Sequence, residues 1–76
     1  MTPEQKAANW QKAHDLHYLR HRSGVSLDEL GAALGIDGRT LRKMERNKVI
    51  IDNTFMGRAE QAVRLLLANA FAEYTD

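Results

Sequence analysis

The strongest constraint on the fold of this chain is a pair of short helical patterns with a glycine between them. Ser26, followed three residues later by Glu29, forms a capping box that predicts the start of the first helix. Gly35 then stands where a residue in the left-handed conformation ends a helix, and Asp37 caps the next one. The two helices are therefore predicted over residues 27–34 and 38–46.

Two longer helices are predicted on either side of this pair. The first begins with Thr2 as N-cap and Pro3 at the first helical position, and nothing interrupts its pattern before Ser23. The second follows the β-branched run 49–51 and covers residues 54–74. We interpret that run as an extended buried connection and not as a strand, because the chain offers no second strand with which it would pair.

These patterns make residues 1–76 a single compact domain of the all-α class, with four or five helices. The net charge of +1 excludes a protein coated in positive charge, so a nucleic-acid contact would have to be local. The absence of cysteine excludes a disulfide framework and a thiolate zinc site. No segment has the pattern of a signal peptide or a membrane span, so we expect a cytoplasmic protein.

The sequence contains no convincing set of nucleophile, base and acid, no phosphate-binding glycine loop and no metal signature, so we expect neither catalysis nor a cofactor. Four residues of the first helix, Trp10, His14, His17 and His21, recur at intervals of three or four and form a stripe. We interpret this stripe as an extra contact surface, in which Trp10 covers the last helix or a second subunit and the histidines are ordinary exposed residues; the rival interpretation is that a partner protein binds there. The alternative is a metal site, since histidines one turn apart can share an ion.

Positive charge is concentrated in the predicted helix 38–46. Apolar Ile36, Leu41 and Met44 would face inward there. The residues that would project outward are Arg39, Arg42, Lys43 and Arg46. Together with the glycine turn, this spacing describes two helices joined by about three residues, which is the helix-turn-helix arrangement.

From Leu16 to Asn47, and above all over the core 26–47, the chain resembles the repressor/Cro-like (XRE-type) helix-turn-helix family. In size it is similar to the small controller proteins of restriction–modification systems and to phage or mobile-element regulators. The resemblance implies a buried ion pair, formed here by Arg20 and Glu45. The alternative is that Glu45 only moderates repulsion between the cations of its own helix.

The resemblance also implies a mode of binding to double-stranded DNA, in which helix 38–46 enters the major groove and helix 27–34 crosses the backbone. The residues that would face the bases are Arg39, Thr40, Arg42 and Lys43. Arg39 is the first expected reader, because a guanidinium can donate two parallel hydrogen bonds to guanine. The expected phosphate contacts are Arg22, Arg46, Lys48 and the backbone amides of Ser26 and Leu27.

Three residues depart from the family pattern. Gly31 stands where a small alanine is usual, and Leu27 replaces a polar residue that often touches phosphate. Gly38 replaces a polar reader early in the recognition helix. We interpret Gly38 as a position that lets the backbone approach the DNA.

The last helix carries a broader apolar arc than one core requires. We assign the surplus residues, Leu65, Leu67, Ala68, Phe71 and Tyr74, to a homodimer interface; the alternative is that the arc only completes the core of the monomer. Twofold symmetry would place two recognition helices about 34 Å apart and require an inverted-repeat operator.

The sequence therefore predicts a homodimeric, sequence-specific transcription regulator, and the resemblance implies that it controls its own promoter. A first rival is a protein-interaction module, such as an antitoxin or antiactivator, in which DNA binding is secondary and the Trp10 stripe or the last helix binds the partner. A second rival is a metal-responsive sensor built on the histidines.

Overall fold

The computed structural model describes the backbone of residues 1–74 and the side chains of residues 1–72. Within these residues the secondary structure is entirely helical, so the all-α prediction is confirmed, with four helices. The helices are α1 (Pro3–Ser23), α2 (Leu27–Leu34), α3 (Gly38–Glu45) and α4 (Asn53–Tyr74). Helix α3 ends one residue earlier than predicted, and α4 begins one residue earlier.

The predicted helix ends are set by local hydrogen bonds. The Thr2 hydroxyl accepts a hydrogen bond from the Gln5 amide at 3.1 Å, and the Ser26 hydroxyl accepts one from the Glu29 amide at 3.0 Å. Residues in the left-handed conformation close the first three helices, with φ angles of 72° at Gly24, 73° at Gly35 and 61° at Asn47. These caps satisfy backbone groups that a helix end would otherwise leave without partners.

The core lies where all four helices and the connection before α4 meet. Its largest fully buried side chains are Leu16, Leu30, Leu41 and Ile51, one from each of α1, α2, α3 and the connection. Helix α4 contributes buried residues only as far as Val63. Its residues 67–72 are all exposed, so the second half of α4 extends beyond the core.

Asn9 is a buried polar residue that fixes the connection between α3 and α4. Its side-chain amide nitrogen donates to the Val49 carbonyl at 2.8 Å and to Asn47 Oδ1 at 3.0 Å, while its amide oxygen accepts from the Ile51 backbone N–H at 2.8 Å. The expected buried connection is thus present, but only in part, because Ile50 turns outward and is exposed. Backbone groups of the connection thus form hydrogen bonds with one side chain of α1 and not with a neighbouring strand.

Gly31 permits the close contact between α2 and α3. A Cβ atom at this position would lie 2.8 Å from the Ile36 carbonyl oxygen and 3.3 Å from the Gly38 amide nitrogen, both of them backbone atoms. Even an alanine side chain here would therefore force the turn apart. The glycine is required by the packing of this turn.

Candidate nucleic-acid interface

Helix α3 is held by its apolar side and presents its cations to solvent. Leu41 is fully buried and Met44 is half-buried. The exposed polar and charged residues on and just after the helix are Arg39, Thr40, Arg42, Lys43, Arg46 and Lys48. Asp37 caps the helix by accepting a hydrogen bond from the Arg39 amide at 2.9 Å. The structure therefore exposes all of the expected base-facing residues and two of the expected phosphate contacts.

The ion pair expected between Arg20 and Glu45 anchors α3 to α1. Arg20 Nε donates to Glu45 Oε2 at 2.6 Å, and Arg20 Nη2 donates to Glu45 Oε1 at 3.0 Å. Arg20 Nη1 also donates to the Val25 carbonyl at 3.1 Å. This bidentate pair holds the last turn of α3 against α1 and the loop that leads into α2.

The ion pair shifts the pKa of both partners. The hydrogen bond with Glu45 raises the pKa of Arg20. Burial acts to raise the pKa of Glu45, but the hydrogen bonds from Arg20 and His17 outweigh it, and the pKa of this carboxyl lies below its ordinary value. Glu45 is therefore ionised at neutral pH, although its side chain is only 5% exposed.

His17 is a third member of this cluster, although the sequence pattern placed it in the stripe on α1. Its Nδ1 lies 2.6 Å from Glu45 Oε1, and its side chain is 51% exposed. A groove lies between α1, the start of α2 and α3. It is lined by His17, Glu45, Arg20, Leu27, Arg42 and Arg46. We call it the α1–α3 groove. A sequence signal existed, since His17 lies one turn before Arg20, but only the fold shows that it reaches Glu45.

Two of the expected phosphate contacts are placed differently from the prediction. Arg22 lines a groove between α1 and α4, beside Met56 and Arg64, and its guanidinium carbon lies 5.9 Å from the centre of the Tyr18 ring. It is therefore not part of the surface formed by α3. The backbone amide of Ser26 donates to Glu29 Oε1 at 3.1 Å, so a carboxylate already occupies the position expected for a phosphate.

The remaining residues at the start of α2 and α3 face each other. Leu27 is half-buried against the core. A Cβ atom on Gly38 would lie 2.6 Å from Asp28 Oδ1, so the open side of this glycine faces α2. The structure thus gives Gly38 a role in the close contact between α3 and α2, whereas the interpretation that it lets the backbone approach DNA stays a prediction.

The expected stripe on α1 is divided into two stacks. Trp10 stacks on His14 with ring centres 5.2 Å apart, and His14 stacks on Tyr18 at 6.5 Å. His17 stacks separately on His21 at 5.6 Å. Within the described part of the chain, no group of three or more His, Cys, Asp or Glu residues is arranged to hold a metal ion.

The residues assigned to a dimer interface do not share one face of α4. Leu65 lines a groove between α4 and α2, beside Ala33 and Leu34. Leu67 lines the groove between α4 and α1, beside Tyr18. Leu65 is 58% exposed, Leu67 39% and Phe71 73%. Ala68 is also exposed, and the side chain of Tyr74 lies outside the described residues.

Comparison with known proteins gave no match to a family model, to a curated protein or to a solved structure. None of the helices within residues 1–74 is long and apolar enough to cross a membrane. Function is therefore inferred from the geometry of α3 and its surroundings.

Proposed function

We propose that the protein is a sequence-specific DNA-binding transcription regulator in which α2 and α3 act as a helix-turn-helix unit and α3 enters the major groove. The observation that carries the proposal is the combination of a short, firmly anchored helix with an outer face made of cations. Leu41 and the Glu45 ion pair fix the inner side of α3, while Arg39, Lys43 and Arg46 are exposed. A helix held in this way can present side chains to base edges at low entropic cost.

The helical period assigns different roles to the cations. Arg39, Lys43 and Arg46 follow each other at intervals of four and three residues, so they form one stripe on the side opposite Leu41. We assign base contacts to Arg39, in the first turn of the helix, and to Lys43, one turn further along the same stripe. Arg42 borders the α1–α3 groove, so it is better placed for phosphate than for bases. Thr40 lies at the other edge of the stripe.

A second copy of the chain is the proposed partner of the groove between α1 and α4. This groove contains two acids, Asp15 and Glu60, and two bases, Arg22 and Arg64. Under a twofold axis, the acids of one copy can face the bases of the other, so the surface is complementary to itself. Exposed Leu67 adds apolar area to the same groove. The dimer would bind an inverted repeat, and we propose that this operator lies at the promoter of the gene that encodes the protein.

The aromatic stack on α1 supports a second candidate function. Trp10 and Tyr18 are both large, exposed and stacked with His14, as in surfaces that bind proteins. An antitoxin or antiactivator would use this surface and would need α3 only secondarily.

Selection from random-sequence duplexes, followed by footprinting upstream of the coding region, tests the proposal. We expect enrichment of an inverted repeat whose half-sites are separated by about 10 base pairs. The variant Arg39→Glu/Lys43→Glu should lose this binding, whereas the matched control Lys6→Glu/Lys12→Glu, with the same change in charge on α1, should retain most of it. If neither the wild-type protein nor the control variant binds any duplex, the proposal is refuted. If the biological effect survives the α3 variant but is lost with Trp10→Ala, the second candidate is favoured.

A further inference from the structure

The α1–α3 groove is lined by more cationic side chains than the ion pair with Glu45 requires. Arg20 and Glu45 neutralise each other at its base, which leaves Arg42 and Arg46 on the α3 side and His17 on the α1 side. From α2 the groove is lined by Leu27, the first residue of that helix. Charges from different helices thus converge on one concave surface.

The contact with Glu45 determines which nitrogen of His17 carries the hydrogen. An ionised carboxylate only accepts hydrogen bonds, so Nδ1 of His17 must be the donor across the 2.6 Å contact. The other nitrogen, Nε2, has no hydrogen-bond partner among the described residues. In the neutral ring Nε2 can only accept a hydrogen bond, so it cannot bind a phosphate oxygen, which is also an acceptor. After protonation it becomes a charged donor.

We propose that the α1–α3 groove binds one phosphodiester group of the DNA backbone, an inference that rests on the proposed function. His17 donates a hydrogen bond to this group through Nε2 when the imidazole is protonated. The ligand chemistry is a phosphate oxyanion held by Arg42, Arg46 and His17. DNA binding should then tighten as the pH falls, because the protonated ring neutralises one further phosphate.

The other charged groups around His17 do not reproduce this behaviour. From α1 it is faced by Arg20 and His21, and from α3 by Arg42, Glu45 and Arg46. The arginines keep their charge at all relevant pH values, and Glu45 is ionised throughout the range of imidazole titration. His21 is the imidazole that stacks on His17, so its variant is a necessary control.

The test measures the salt dependence of binding to a fluorescent duplex of arbitrary sequence, because phosphate contacts do not depend on the bases. Anisotropy titrations would be run at several salt concentrations, at pH values of about 6 and about 8, which bracket the titration of imidazole. For the wild-type protein, the slope of log K against log salt should be steeper at the lower pH by about 0.9 for each bound copy of the chain. His17→Gln should show the same slope at both pH values.

Matched variants separate this effect from damage to the fold. In His17→Gln the new side chain would still offer an amide donor to Glu45, and circular dichroism checks that the variant remains helical. His14→Gln and His21→Gln should keep the wild-type change of slope. Arg46→Gln should lower the slope at both pH values by about 0.9 for each bound copy of the chain. If the change of slope is retained in His17→Gln, or is lost in His21→Gln instead, the proposal is overturned.

A second arm distinguishes the DNA backbone from a free anion. Inorganic phosphate added to the protein at a pH of about 6 should shift the side-chain nitrogen resonances of His17 more than those of His14, and the duplex should do so at far lower concentration. If only inorganic phosphate acts on His17, the groove binds small anions and the proposal for DNA is overturned. A protein that binds no duplex at either pH refutes the proposed function as well, which is a different outcome from pH-independent binding.

Discussion

Arg20 and Glu45, 25 residues apart in the chain, form a bidentate ion pair in which Arg20 Nε lies 2.6 Å from Glu45 Oε2. The pair joins the last turn of α1 to the last turn of α3, and Arg20 also binds the Val25 carbonyl in the loop before α2. The position of the cationic helix therefore depends on one buried acid among its bases. That acid has a structural role, and its loss should affect the fold before it affects any ligand.

We expect Glu45→Ala to lower the free energy of unfolding by about 3 kcal/mol, because it leaves the Arg20 guanidinium largely buried without its partner. Urea unfolding followed by circular dichroism measures this change. The control Glu4→Gln removes an exposed acid in the first turn of α1 and should cost less than about 1 kcal/mol. Equal losses in the two variants would show that the pair contributes nothing specific.

The lowered pKa of Glu45 predicts a dependence of stability on acid pH. A carboxyl with a lower pKa in the folded state contributes stability that is complete above its ordinary unfolded pKa of about 4.3 and is lost as the pH falls through the folded value. The wild-type protein should therefore lose stability between neutral and strongly acid pH more steeply than Glu45→Gln does. Thermal unfolding across this range tests it, and parallel curves for the two proteins would contradict it.

Gly31→Ala should destabilise the protein by about 1–3 kcal/mol, since the new methyl group would press on the Ile36 carbonyl oxygen and the turn would have to move. Gly57→Ala is the matched control within α4. A Cβ atom there meets no atom within 4 Å, so the higher helix propensity of alanine should stabilise the protein by up to about 1 kcal/mol. Opposite signs in thermal unfolding are the expected result.

Asn9→Ala should cost about 2–3 kcal/mol, because it leaves the buried Ile51 N–H and the Val49 carbonyl without their partners. Hydrogen exchange at the Ile51 amide should accelerate with it. The control Gln11→Ala removes an exposed hydrogen bond to Asp15 and should change stability by less than about 0.5 kcal/mol. Unchanged protection of the Ile51 amide would show that Asn9 does not hold the connection.

The proposed dimer makes the two sides of α4 distinguishable. Leu67→Asp places a charge in the self-complementary groove and should weaken dimerisation at least about tenfold, whereas Leu65→Asp, on the other side of the helix, should leave it nearly unchanged. Analytical ultracentrifugation over a range of concentrations measures both. The reverse order would move the interface to the groove between α2 and α4.

The interface can also be tested by charge reversal. Arg22→Glu/Arg64→Glu would leave four acids in the groove and should dissociate the dimer by repulsion. Adding Asp15→Arg/Glu60→Arg restores opposite charges and should restore association. A dimer that is insensitive to both changes uses another surface.

The sequence by itself determined, to within one residue, where the helices begin and end. Capping boxes at Thr2 and Ser26, and left-handed residues at Gly35 and Asn47, act through bonds between residues that are at most a few positions apart, so their pattern can be read along the chain. The inward position of Leu41 follows from helical periodicity in the same way.

Apart from the Arg20–Glu45 pair, which the resemblance led us to expect, only the tertiary structure decided which distant groups meet. The contact of His17 with Glu45 spans 28 positions, and that of Asn9 with Ile51 spans 42. Such contacts depend on the rotation and crossing of packed helices, which a repeating pattern fixes to within a face but not to within a hydrogen bond. The same rotation placed Arg22 beside α4 and separated Leu65 from Leu67, because residues close in sequence point to different sides of a helix.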